Sequence, residues 1–256
     1  MVAAVVLFAL VLYLPGLGSV PLIDRDEPYY ASVSREMLDR GDFMIPRFNG
    51  RIWLEKPPML YWAQSLAFRF LGATEAAARL PSALAGAATA AVVFAMALSM
   101  FGDPRAALRA GMISALSPAI LAASRLGMTD MILVFFTTLA SWAAWELLRP
   151  DRTPRPARWW WIFYVAIGAG ILTKGPSGLL PLMAAGVYIA WARPPGAMQS
   201  LCPLRGAVVI TIVAGAWYGP VMAASGGALV SDFFLTHVVE RVLRPSNGHG
   251  IRGITG

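Results

Sequence analysis

The polar stretches of this chain carry carboxylates and cations of the kind that perform acid-base and phosphate chemistry. They are Asp26, Glu27, Glu55, Lys56, Asp130, Lys174, His237 and Arg241. A carboxylate can act as a general base by accepting the proton of a hydroxyl group. Lys and Arg can bind a phosphate and stabilise its charge as it leaves. These residue types therefore suit transfer of a group from a phosphorylated donor to a hydroxyl acceptor.

Each of these groups also has a simpler interpretation. Asp26 and Glu27 would only cap a helix and complement its dipole, and Lys56 would contact lipid headgroups. The alternatives for the later groups are a helix cap at Asp130, a helix C-terminus at Lys174 and an ordinary surface histidine at His237. Ionisable groups are costly near lipid, so their convergence on one side of a membrane favours a functional site.

The composition indicates an integral membrane protein. Of the 256 residues, 57% are hydrophobic and only 14% are charged, against about a quarter charged in soluble domains. Seven apolar runs approach the length of about 20 residues that a spanning helix needs. They are 2–17, 82–101, 107–123, 131–148, 159–172, 179–191 and 206–224. A shorter apolar patch at 59–71 contains Gln64 and Arg69, which predicts an interfacial helix.

The charge pattern predicts the orientation in the membrane. The net charge is +7, and most of it comes from Arg in short loops between apolar runs, which is typical of membrane topology rather than of nucleic-acid binding. With a cytoplasmic N-terminus, these loops are inside and the charge-balanced loop 19–57 is outside the cytoplasm. The first run has neither a basic leader nor a clear cleavage site, so we expect a retained span. The single Cys202 excludes a disulfide framework within one chain and offers no metal cluster.

The first outer loop predicts its own local structure. Asp26 would cap a helix with Pro28 in its first turn, and Gly41 would end that helix. Tyr30, Val33 and Met37 are three and four residues apart, so they form one apolar face of an amphipathic helix on the membrane surface. Residues 47–51 predict a turn. Two prolines follow Glu55-Lys56, which indicates an extended entry to the helix at 59–71 that presents Lys56 at the bilayer surface.

The ordered motifs of this chain resemble those of the bacterial polyprenyl-phosphate-sugar-dependent glycosyltransferases. That family includes lipid A aminoarabinose transferase and is related to protein O-mannosyltransferases. The motifs lie within residues 1–245, and each of them alone is weakly specific. They are Arg25-Asp26-Glu27-Pro28-Tyr29-Tyr30, Met37-Leu38-Asp39-Arg40-Gly41-Asp42, Pro46-Arg47-Phe48-Asn49-Gly50, Glu55-Lys56-Pro57-Pro58-Met59-Leu60-Tyr61-Trp62, Ala78-Arg79-Leu80-Pro81-Ser82, Leu126-Gly127-Met128-Thr129-Asp130, Leu172-Thr173-Lys174-Gly175-Pro176 and His237 with Glu240-Arg241.

The resemblance implies a fold and a reaction. The fold would be an all-α integral membrane protein of the GT-C type, a multi-span helical bundle with amphipathic juxtamembrane helices in the first outer loop. The enzyme would move a sugar from a polyprenyl-phosphate donor to a lipid or protein hydroxyl with inversion. It would act on the outer face of the bacterial cytoplasmic membrane, with membrane lipids but no nucleic acid as partners.

The resemblance also implies roles for single residues. Asp26 would be the general base, supported by Glu27. Lys56, Arg241 and Lys174 would bind the donor phosphate, and Tyr30, Glu55, Asp130 and His237 would line the cavity. No cofactor is required, although Glu55 and His237 match positions able to hold a divalent ion, and two protein ligands make a weak metal site.

The chain departs from the family in two respects. The first-loop motif of the family often reads Asp-Glu-x-Arg-Tyr, whereas Tyr29 stands where that Arg would be. Family members also have about twice this length, so we expect 1–256 to be one transmembrane domain, with its catalytic loop at 19–58, truncated at the C-terminus. Two alternatives remain: a transporter or flippase for a lipid-linked anion, and an inactive fragment that acts only as a binding scaffold. A transporter would place its charges near the bilayer midplane, and here they lie at one face.

Overall fold

The computed structural model describes residues 1–23, 26–149 and 156–224. Helices dominate these ranges, as the all-α prediction requires. The helices are α1 (Val2–Tyr13), α2 (Glu27–Arg40), α3 (Met59–Leu71), α4 (Glu75–Phe101), α5 (Pro104–Leu116), α6 (Pro118–Ser124), α7 (Thr129–Leu148), α8 (Ala157–Lys174), α9 (Leu180–Ala192), α10 (Ala197–Leu201) and α11 (Pro203–Ala224). A 3-10 helix, Gly175–Leu179, joins α8 to α9, and the strands β1 (Arg47–Phe48) and β2 (Arg51–Ile52) form a hairpin.

Within the described ranges, four helical segments are long and apolar enough to cross a membrane. They are Glu75–Phe101, Thr129–Leu148, Ala157–Ala192 and Ala197–Ala224. A fifth is added when α5 and α6, which are bent by 61° relative to each other, are taken as one span. The apolar helix α1 has 12 residues. That is shorter than the roughly 20 residues that span a bilayer. The count of seven spans stays a prediction.

Proline and glycine explain where the predicted spans differ from the observed helices. Helix α1 ends at Tyr13, before the predicted limit of residue 17, because Pro15 and the left-handed Gly16 (φ 67°) follow. The predicted span 107–123 is broken between α5 and α6. Ser117 there has an extended ψ of 125° because Pro118 disfavours a helical residue before it.

The chain folds back on itself after α8. The 3-10 helix begins at Gly175, directly after Lys174, and the backbone of Gly178 lies against that of Gly170. A Cβ on Gly170 would be 3.1 Å from the Cα of Gly178, so the two backbones touch without side chains between them. The predicted interruption at Lys174-Gly175-Pro176 is therefore a tight turn that fixes the end of α8.

The first loop forms the predicted surface helix. Helix α2 ends at Gly41, whose φ of 66° is left-handed, and its apolar residues Tyr30, Val33 and Met37 are buried. One detail of the prediction was wrong: Asp26 stands at the N-cap, but its side chain makes no capping hydrogen bond. Helix α3 also forms at the predicted bounds, and buried Ser34 Oγ donates to Gln64 Oε1 at 2.7 Å to join the two helices.

The predicted turn at 47–51 is the tip of the β1–β2 hairpin. Asn49 and Gly50 both have positive φ, 52° and 78°. This combination is typical of the tightest hairpin turns. The backbone N–H of Gly50 donates to Glu36 Oε1 at 3.0 Å, which fastens the hairpin to α2. The sequence predicted the turn but not the two short strands.

Small residues allow the long helices to approach closely. Ala9 of α1, Ala87 of α4 and Ala107 of α5 share one buried apolar cluster. Ala140 of α7 and Ala166 of α8 share another. Helix α4 contacts both α5 and α7 and so joins the two groups. This core aligns the helices so that the polar residues at their ends meet.

Candidate functional site

Asp130 and Lys174 form an ion pair at one end of the bundle. Lys174 Nζ donates to Asp130 Oδ1 at 2.6 Å. Asp130 lies in the first turn of α7 and Lys174 is the last residue of α8, so the contact between these two helices brings the groups together. Their side chains are 45% and 33% exposed, which leaves both accessible to a ligand. The sequence placed both residues on one side but did not predict the pair.

Asp26 is oriented by a tyrosine one turn further along α2. Tyr30 donates its hydroxyl to Asp26 Oδ2 at 3.1 Å. Burial raises the pKa of Tyr30, and the nearby carboxylates of Glu55 and Asp26 raise it further. Tyr30 therefore stays a neutral donor at physiological pH. Its hydroxyl binds one oxygen of the partly buried Asp26 carboxylate, and the other carboxylate oxygen takes no part in this hydrogen bond.

Glu55 and Lys56 form the second polar group of the first loop. Lys56 Nζ donates to Glu55 Oε1 at 3.1 Å. Lys56 is only 8% exposed, so the expectation that this residue is presented at the bilayer surface was wrong. The segment that carries it is packed inward, since Leu54 lies in a buried cluster with Trp217 of α11. The lysine is thus held inside the site end of the bundle instead of at its rim.

Tyr61 faces the same carboxylates. Burial raises the pKa of Tyr61 well above its ordinary value, and the Glu55 and Asp26 carboxylates add to this. Tyr30, Tyr61 and Ile132 belong to one buried cluster, and Ile132 follows Asp130 by two residues. The Asp26 group and the Asp130–Lys174 pair therefore lie at the same end of the bundle.

Glu27 has a different environment from Asp26. Its oxygens accept from Arg79 Nε and Nη2, each at 3.0 Å, and from the backbone N–H of Gly127 at 2.6 Å. Burial alone would raise the pKa of Glu27, but the hydrogen bonds from Arg79 and Gly127 outweigh it and the pKa is lowered. Glu27 is 1% exposed. It anchors the start of α2, and its predicted support of Asp26 stays a prediction.

The sequence did not predict that Arg79 has a structural role in the site. Besides Glu27, it donates to the backbone carbonyls of Leu17, Val20 and Pro21 at 2.8–2.9 Å. The motif around Arg79 contributed to the family resemblance, but nothing in the spacing pointed to a partner 52 residues away. One guanidinium thus fixes the chain on both sides of the loop that carries Asp26.

Aromatic rings occupy the place where the family often has an arginine. Tyr29 lies parallel to Trp53, with 5.9 Å between ring centroids and 9° between planes. It meets Phe48 of the hairpin edge to face, with 5.0 Å between the ring centroids. The substitution therefore extends an aromatic wall next to Asp26. Trp53 Nε1 and Tyr61 Oη are both buried, and an interaction with Trp53 partly offsets the rise in the pKa of Tyr61.

The remaining predicted residues cannot be placed. Arg241 and His237 lie outside the described residues. Among the residues that are described, no group of three or more His, Cys, Asp or Glu side chains could hold a metal ion. Glu55, one of the two weak metal candidates, is bonded to Lys56. A divalent ion shared by Glu55 and His237 stays a prediction.

The fold and the polar end of the bundle define a class, that of multi-span membrane proteins with the GT-C type of helical fold. Residues 1–213 match the dolichyl-phosphate-mannose-protein mannosyltransferase family. The chain belongs to that family.

Individual relatives are consistent with this assignment. The chain is 30% identical over 211 residues to an uncharacterized protein of Aquifex aeolicus, covering 82% of this chain and 41% of the relative. It is 34% identical over 171 residues to the undecaprenyl phosphate-alpha-4-amino-4-deoxy-L-arabinose arabinosyl transferase of Pectobacterium atrosepticum, covering 67% and 31%. The crystal structure of ArnT from Cupriavidus metallidurans bound to undecaprenyl phosphate superposes with a TM-score of 0.86 at 29% identity, covering 93% and 44%. The chain therefore spans less than half the length of each of these relatives.

Proposed function

We propose that this chain provides the first part of a membrane glycosyltransferase that moves a sugar from a polyprenyl phosphate to a hydroxyl acceptor. The observation that carries the proposal is the placement of Asp26, Glu55-Lys56 and the Asp130–Lys174 pair at the same end of the helix bundle. Carboxylates beside ammonium groups at a membrane-facing helix end suit a lipid phosphate that becomes a leaving group. The undecaprenyl phosphate bound to the ArnT structure supports the same class of donor.

In this proposal Asp26 is the general base. Its carboxylate is held by Tyr30 through one oxygen, so the other can accept the proton of the attacking hydroxyl. Attack from the face opposite the phosphate inverts the sugar carbon. Lys56, buried beside the Glu55 carboxylate, and Lys174 at the end of α8 bind the phosphate and stabilise its charge as the bond breaks.

We further propose that Arg241 also binds the donor phosphate and that transfer needs no cofactor. The acceptor is a lipid or protein hydroxyl, and the reaction takes place on the outer face of the bacterial cytoplasmic membrane. The aromatic wall of Tyr29, Phe48 and Trp53 supports a sugar or acceptor ring that stacks next to Asp26.

The experiment measures sugar transfer from labelled polyprenyl-phosphate sugars in membranes that contain this chain, with EDTA present. Asp26→Asn keeps the shape of the side chain but removes the base. Since a positioned base contributes about 100- to 10,000-fold, transfer should fall by at least about 100-fold while membrane insertion is unchanged. Asp39→Asn is the matched control, because Asp39 lies on the same helix in an exposed pair with Arg35.

Lys56→Met tests the phosphate role separately. Loss of one charge-assisted contact of about 1.5–3 kcal/mol should weaken donor binding by about 10- to 100-fold. Near-normal turnover of Asp26→Asn would exclude the base assignment, and unchanged donor affinity of Lys56→Met would exclude the phosphate role. Transfer that appears only when a divalent ion replaces EDTA would overturn the proposal of cofactor-free chemistry. Donor binding without any transfer by the unmodified chain would support the scaffold alternative.

A further inference from the structure

A groove of about 560 Å³ lies at the end of the bundle opposite Asp26. Its walls come from the start of α1, the last turns of α4 and α7, and the first turn of α8. The polar site described above uses the other ends of α4, α7 and α8. The groove is therefore a separate feature that the proposed reaction does not use.

The lining of the groove changes from apolar to polar toward the helix ends. On α4, Phe94 and Leu98 precede Ser99, and on α7 Trp142 precedes Arg149. At 1.5 Å per residue, Phe94 lies about 7 Å deeper than Ser99, and Trp142 about 10 Å deeper than Arg149. An amphipathic ligand with a polar head at the helix ends and an apolar tail along the helices matches this order.

Within the described residues, two arginines and one glutamate are the charged groups that line the polar end of the groove. Glu146 is 1% exposed, and its carboxylate accepts from the Ser99 hydroxyl and from Trp142 Nε1. Arg149 Nη1 lies 3.6 Å from Glu146 Oε2 and balances its charge. Arg158, which is exposed and stands 5.3 Å above the ring of Trp159, adds a further positive charge. These described groups leave one positive charge in excess, which favours an anion.

Trp159 forms part of the same wall. The residue is 5% exposed, and its Nε1 has almost no accessible surface, so the ring and not this donor borders the groove. The ring therefore offers an apolar surface to a ligand.

We propose that the groove binds an anionic diacyl phospholipid of the surrounding membrane. The phosphate lies against Arg158 and Arg149, and the first part of an acyl chain follows Leu98 and Phe94. The volume is within the range of about 300–1,000 Å³ that is usual for a small-molecule site. It holds a glycerophosphate head and the upper tail, while the rest of the lipid stays in the bilayer. Arginines at the cytoplasmic surface are the usual partners of anionic lipids.

The test compares lipids that differ only in the headgroup. The full chain is purified in a neutral detergent, and retained lipid is measured by native mass spectrometry during titration with phosphatidylglycerol or phosphatidylcholine of the same acyl chains. A charged contact worth about 1.4 kcal/mol makes phosphatidylglycerol bind about tenfold more tightly. Millimolar inorganic phosphate should not displace it, because free phosphate makes no contact with the apolar wall.

Single substitutions locate the binding. Arg158→Gln should abolish the tenfold preference for phosphatidylglycerol, and Leu98→Trp should reduce the binding of both lipids by filling the wall. Arg109→Gln is the matched control: Arg109 is exposed on α5 and does not line the groove. Equal affinity for the two lipids in the unmodified chain overturns the proposal. So does an equal loss in Arg109→Gln and Arg158→Gln, displacement by inorganic phosphate, or tighter binding of farnesyl phosphate than of phosphatidylglycerol.

Discussion

The two adjacent acids Asp26 and Glu27 lie in different surroundings. Asp26 is partly exposed and accepts one hydrogen bond from Tyr30. Glu27 is buried in a bidentate pair with Arg79, whose nitrogens are fully used by carboxylate and carbonyl oxygens. The sequence could identify the acidic pair but could not separate the two roles, because the partner of Glu27 is 52 residues away.

We expect Arg79→Met to destabilise the protein strongly. The substitution preserves much of the side-chain volume but leaves the Glu27 carboxylate buried without its cation, which costs about 3–5 kcal/mol. The unfolding midpoint in detergent measures the loss. Arg35→Met is the matched control, since the Arg35–Asp39 pair is 68% and 66% exposed. Such pairs contribute at most about 1 kcal/mol. Similar midpoints for the two variants would contradict the anchoring role of Arg79.

At the scale of elements, the turn after α8 determines where Lys174 lies. The 3-10 helix brings Gly178 into backbone contact with α8, and this contact stops Lys174 from continuing into a longer helix. The sequence predicted the interruption from Gly175-Pro176. It could not predict that Gly178 contacts Gly170, because two glycines eight residues apart do not by themselves indicate a close approach.

Gly178→Ala should therefore disturb the site end of α8. An added Cβ would overlap the backbone nitrogen of Ile171 and the carbonyl carbon of Gly170, which cannot move as a flexible side chain could. Overpacking of this kind costs about 1–3 kcal/mol or more. Gly186→Ala on α9 is the control, because its Cβ would meet no atom within 4 Å. Unfolding in detergent should show a loss for Gly178→Ala alone, and equal stability of the two variants would exclude a rigid turn.

The first loop shows which elements local pattern can predict. The sequence predicted both the end of α2 at Gly41 and its buried face of Tyr30, Val33 and Met37. Both features depend on residues within the helix or next to it. The surface position expected for Lys56 was wrong, because the segment that carries it packs through Leu54 against Trp217 of α11, far along the chain. The local sequence therefore predicted the secondary structure of the first loop. The exposure of its side chains depended on contacts with residues far along the chain.

At the scale of the whole molecule, the two ends of the bundle carry different charges. One end brings together carboxylates and the two lysines, and the other carries the arginines beside the groove. By the positive-inside rule, we expect the arginine end to face the cytoplasm.

This orientation predicts the labelling of engineered cysteines. In a Cys202→Ser background, Arg51→Cys in the hairpin should react with a membrane-impermeant maleimide in intact cells. Arg105→Cys, exposed at the start of α5, should react only after the cells are permeabilised. The reverse pattern would invert the topology and move the proposed reaction to the cytoplasmic face.

The bonds around Glu27 have a consequence for the order of biosynthesis. Glu27 is made long before Arg79, and its third donor, Gly127, is 100 residues further along the chain. While the ribosome is still extending α4 and α5, the loop behind α1 has no complete set of partners. It reaches its final shape only when the polypeptide up to the start of α7 has left the insertion machinery. The synthesis of this loop and its final closure are thus two separate events in the assembly of the protein.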